Sequence, residues 1–109
     1  MLYNLQELRS IASGDEVFFN EMIKLFIQQN ETSLVEIKNQ VSKRDLAAIK
    51  MILHKIKPSV MVMGIAEASE IIKQVEQLEL STVDNPEFPG LLQQLENILL
   101  EVNDQLRMV

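Results

Sequence analysis

The stretch Leu53-His54-Lys55-Ile56-Lys57-Pro58-Ser59-Val60-Met61-Val62-Met63-Gly64 holds the only histidine of a 109-residue chain. Spaced at about 100° per residue, the step of a 3.6-residue turn, Ile49, Ile52, Ile56 and Met63 gather on one side of a helix. Leu53 and Val60 flank them. His54 falls on the opposite side with Ala47, Lys50, Pro58 and Met61, and Lys57 lies close beside it. The ring therefore points away from the helix's own apolar stripe. That is a poor place for a structural histidine and a good one for a reactive imidazole.

Pro58 lies inside this helix, where it removes a backbone donor and crowds the carbonyl of residue 54, at about 3 kcal/mol in a regular helix. The apolar spacing Ile56, Val60, Met63 continues through it, so a kinked but continuing helix is expected rather than a stop. Asp45 is placed to cap the start, after the connector Ser42-Lys43-Arg44-Asp45. Gly64 closes the end in a left-handed conformation or admits a close neighbour.

Upstream, Leu2, Leu5, Leu8 and Ile11 predict a short helix of about three turns. Ser13-Gly14-Asp15 interrupts it, with Asp15 as the next N-cap. Phe19, Met22, Ile23, Phe26, Leu34, Ile37 and Val41 then mark one long helix, continuous through the polar patch Gln28-Gln29-Asn30-Glu31 because no Gly or Pro breaks it. Downstream, Ala68, Ile71, Ile72, Val75 and Leu78 predict a fourth helix ending near Leu80. Ser81 to Pro86 reads as a loop. Pro86 or Pro89 opens a last helix with Leu92, Leu95, Ile98, Leu99, Val102 and Leu106 as its stripe. The fold class is all-α: an antiparallel four-helix bundle preceded by a short N-terminal helix, in a single domain over 1–109.

Composition agrees. Three Gly and three Pro in 109 residues, with 47% hydrophobic and 24% charged residues, suit a compact chain of long helices. A net charge of −6 disfavours nucleic acid and anionic membranes as partners. The longest central run without a charge, Pro58 to Ala66, is far short of the about 20 residues that span a bilayer, so no direct membrane insertion is expected.

Absences narrow the chemistry. The chain has no cysteine and one histidine, so no Cys–His pair or thiolate metal site can form, and no Gly-rich phosphate loop occurs. A di-iron bundle would want Glu-x-x-His, and position 51 is Met51. Zinc on a single histidine plus carboxylates is the residual option, and no metal is expected. What is left is an imidazole with a cation one turn away. A neutral ring nitrogen is a nucleophile, and a phosphoryl group on it would be stabilised by the Lys57 ammonium, with Lys50 and Lys55 adding to the local positive field. The bland alternative is a solvated histidine beside ordinary helix lysines.

His54-Lys55-Ile56-Lys57, followed by Gly64 ten residues after the histidine, resembles the signature of the histidine-phosphotransfer (HPt) domains, His-x-Leu-Lys-Gly with a second glycine six positions later. The resemblance extends to Leu5-Gln6-Glu7-Leu8, to the Gly14-Asp15 turn before Phe18-Phe19, to Asp45, and to Val75-Glu76 on the next helix. It implies that His54 accepts the phosphoryl group and Lys57 stabilises its oxygens, and that Gly64 is the glycine of the following turn. Glu76 would orient the imidazole by holding one ring N–H; its alternative is a rim carboxylate paired with Lys73. Two positions depart from the pattern. Pro58 stands where the family has glycine, and Met61 where it has a small residue; Met61 is either a docking contact or a partly buried gap-filler. Lys50, Met51, Pro58 and Met61 form the expected receiver-docking face.

The resemblance further implies a phosphorelay intermediate, monomeric and without an ATP site, relaying a phosphoryl group between aspartates of receiver domains. Its partners would be response-regulator receivers or a hybrid sensor histidine kinase, with Mg²⁺ carried by the receiver and no cofactor of its own. The expected location is the cytoplasm. The compact start at Tyr3 favours an excised C-terminal module of a hybrid kinase over a free-standing protein. Attack needs the neutral ring, so acceptor activity should fall at acid pH; equal rates at about pH 5 and pH 8 would count against it. The competing reading is a helical adaptor that binds a receiver or kinase without carrying phosphate, its histidine incidental.

Overall fold

The computed structural model describes residues 2–78 and 87–109. Five helices occur there, and no strand is found among the described residues: α1 (Gln6–Ala12), α2 (Glu16–Ser42), α3 (Leu46–Val62), α4 (Ala66–Glu76) and α5 (Glu87–Leu106). Neighbours pack in a closed ring, α2 on α3, α3 on α4, α4 on α5 and α5 back on α2, while α1 lies against α2. Short connections join α1 to α2, α2 to α3 and α3 to α4, and the packing gives a four-helix bundle with its leading short helix.

Each start is set by a residue legible in the chain. The Asp15 carboxylate accepts from Phe18 N–H and that of Asp45 from Ala48 N–H, both at 2.9 Å. These bonds satisfy donors that the first turn of a helix leaves open. The 27-residue α2 is unbroken. Its polar patch survives because Asn30, fully buried, donates from its amide to Asn103 Oδ1 of α5 at 3.0 Å. Asn103 in turn reaches the Ile27 carbonyl at 3.5 Å.

α3 runs through Pro58 to Val62. Its buried stripe is centred on Ile49, Leu53, Ile56 and Val60, each 0% exposed, while Ile52 is only half-buried. The stripe is thus turned slightly from the one the spacing suggested, because α2 and α4 both press on this helix.

One boundary differs from expectation. The N-terminal helix begins at Gln6, not Leu2, because the preceding segment is spent elsewhere: Asn4 N–H donates to the Met63 carbonyl at 3.1 Å. Gly64, at φ +63°, makes room for it, since a Cβ there would sit 2.5 Å from the Asn4 carbonyl oxygen. Both roles foreseen for this glycine are therefore filled at once. α4 starts at Ala66 and ends at Glu76; the expected end near Leu80 and the loop from Ser81 to Pro86 lie outside the described residues. Pro89 is the third residue of α5, a first-turn position where its missing N–H costs nothing.

Candidate functional site

His54 stands on the solvent face of α3. Helical phase puts it there: it lies about 140° around the axis from Ile49, the middle of the buried stripe. Lys57, one turn on, turns toward α4, where its amine lies 3.2 Å from Glu76 Oε1. Both side chains are about a quarter exposed, at 28% and 27%. The distance is that of an ion pair, but the approach misses hydrogen-bonding angles: Glu76 Oε1 is buried and accepts no hydrogen bond among the described residues. The attraction is therefore Coulombic and weakly directed, in a setting less screened than open surface.

Glu76 meets Lys57 and not the ring, since no hydrogen bond joins it to His54 among the described residues. Nor does it pair with Lys73, which is exposed. Lys50 is half-buried, and its amine donates to the Leu78 carbonyl just past α4. A cation there complements the helix's negative end. Of the four residues foreseen as a docking face, Lys50 is thus tied into the bundle. Met51 and Met61 are 74% and 56% exposed, so Met61 does not fill a core gap. Pro58 is exposed and lies on the rim of an apolar groove of about 510 Å³ between α1, α2 and α3, with Ile11, Leu25 and Val62 among its walls. The groove escaped the sequence reading; its trace was Leu25, an apolar residue off the α2 stripe and 53% exposed.

No group of His, Asp and Glu side chains able to hold a metal ion occurs among the described residues. No helix there is long and apolar enough to cross a membrane.

The site thus gathers an exposed imidazole on one helix of the bundle, a lysine one turn away and a carboxylate that reaches this lysine from the next helix. The chain belongs to the Hpt domain family, whose profile matches residues 21–105. Its fold is similar to that of histidine-containing phosphotransfer protein B (HptB) from Pseudomonas aeruginosa PAO1, with a TM-score of 0.84 and 18% identity over 98% of this chain and 92% of that one. No curated protein matches the sequence at a significant level. The chain is therefore a histidine-phosphotransfer domain of phosphorelay signalling, one of a family of phosphoryl carriers.

Proposed function

We propose that His54 is the residue that carries the phosphoryl group, received from an aspartyl phosphate of one receiver domain and passed to an aspartate of another. The observation that carries this reading is the exposure of His54 on α3 with the Lys57 side chain one turn on. The ring nitrogen bearing the lone pair attacks phosphorus. The N–P bond forms as the P–O bond to the aspartyl carboxyl breaks, and its electron pair leaves with the carboxylate. The other ring nitrogen keeps its proton, so a neutral ring becomes a phosphorylated one of net charge −1. Lys57 can offset that charge. The receiver supplies Mg²⁺, and the module brings neither a cofactor nor an ATP site.

Met51 and Met61, with Pro58 and the groove beside it, give a receiver apolar and adaptable surface around the ring. The partners are receiver domains, free or within a hybrid sensor kinase, and the work is done as a monomer on the cytoplasmic side.

The test uses a phosphorylated receiver domain as donor. Acid-labile, alkali-stable label should appear on the protein and vanish in His54→Gln. Stable complex formation with no such label would sink the relay role and favour an adaptor.

A further inference from the structure

Resting on the reading of His54 as acceptor, we propose that Glu76 is a positioning residue acting through Lys57: it holds the amine back from the ring and so sets how far phosphorylation of His54 proceeds. The carboxylate lies 3.2 Å from the amine and makes no hydrogen bond to the ring among the described residues. Its influence on the ring therefore passes through the lysine.

The pair is well suited to an exchange of partners. Because it lacks hydrogen-bond alignment, the lysine gives up a Coulombic contact and no directed bond when it moves. Its four-carbon stem is flexible and its amine carries three donors. His54 is one turn away on the same helix, within reach of the same amine. Once the ring is phosphorylated, one ammonium faces two anions, the Glu76 carboxylate and the phosphoryl group. Of the other cations of α3, Lys50 is committed to the Leu78 carbonyl, and Lys55 lies about 100° around the axis from His54. Competition for Lys57 then makes phosphohistidine less stable than it would be beside an unpaired lysine. That suits an intermediate, which must release what it receives. With the carboxylate neutralised, the same site becomes a phosphoryl sink.

Potassium phosphoramidate serves as donor, because its P–N bond exchanges with the imidazole and releases ammonia. At a fixed phosphoramidate-to-ammonia ratio, ³¹P NMR gives the ratio of phosphorylated to free protein at equilibrium. It is measured for wild type, Glu76→Gln, Lys57→Met and the double variant, each checked for helical content. In the presence of Lys57, Glu76→Gln should raise that ratio about threefold to tenfold, and in the Lys57→Met background it should change it by less than about 1.5-fold. A gain is not what damage to the fold produces. Label on wild-type His54 with an equal Glu76→Gln effect in both backgrounds overturns this proposal alone. So does a lower ratio in both, the mark of a carboxylate acting directly on the ring. Absence of label on wild-type His54 overturns the acceptor reading and this proposal together.

Discussion

Gly64→Ala tests the way the N-terminal segment is locked to the bundle. The new methyl group meets backbone and not a yielding side chain: Asn4 O at 2.5 Å and Asn4 N at 2.9 Å, with Asn4 Cβ at 2.8 Å. The segment must therefore move, which breaks the 3.1 Å bond from Asn4 N–H to the Met63 carbonyl. Losing that bond costs about 1 kcal/mol, and holding alanine at φ +63° costs about 1–2 kcal/mol more, for a total near 2–3 kcal/mol. In a domain of this size the melting point should fall by about 8–12 °C. Urea denaturation gives the free energy, and amide exchange at Asn4 shows whether the segment has lifted. The other glycines are the controls. Gly14, at φ +87° with nothing within 4 Å, should lose only the strain, about 1 kcal/mol on alanine substitution. Gly90, helical and equally open, should gain about 0.5–1 kcal/mol. A Gly64→Ala protein within about 0.5 kcal/mol of wild type, with the Asn4 amide still protected, would refute the reasoning.

Asn103→Ala strands the Asn30 amide, whose Oδ1 already lacks a partner among the described residues, and should cost about 2–3 kcal/mol in urea. Pro58→Ala restores a helical N–H at an exposed site; it should stabilise by about 2 kcal/mol, the helix gain of about 3 being offset by about 0.4–1 from a freer unfolded chain. A lower melting point would contradict that. Met61→Asp should leave stability within about 0.5 kcal/mol of wild type while weakening binding to a cognate receiver about tenfold or more by calorimetry. Unchanged affinity would remove Met61 from the docking face.

Local rules made most of the fold readable. Asp15 and Asp45 cap the helices they precede, and the α3 stripe passes through Pro58 as its spacing demanded. His54 needed only helical phase to be placed outside. What escaped was tertiary. The Lys57–Glu76 pair joins two helices whose mutual rotation no single stripe encodes, so the sequence offers the carboxylate the ring or Lys73 as partner but not the Lys57 amine. Lys50 looked like free surface because its acceptor is a main-chain carbonyl, and every residue has one. Asn103 sits among apolar residues with no local sign that its partner lies 73 positions upstream. Leu2 to Leu5 match a helical period, yet they stay outside α1, with Asn4 N–H bonded to the Met63 carbonyl beside Gly64.

The Asn30–Asn103 pair bears on which arrangement of the bundle is singled out. A stripe such as Leu92, Leu95, Leu99, Val102 and Leu106 is nearly indifferent to sliding along α2, because leucine on leucine feels much the same one turn away. An amide pair is not indifferent, since any slip leaves two polar groups stranded in hydrocarbon. The pair thus acts as a vernier mark between α2 and α5. Because α4 is gripped by α5, the same mark fixes the height at which Glu76 faces Lys57. A double Leu substitution at 30 and 103 should melt higher yet give broadened, multiple NMR signals for Lys57; one sharp set would show that packing alone sets the register.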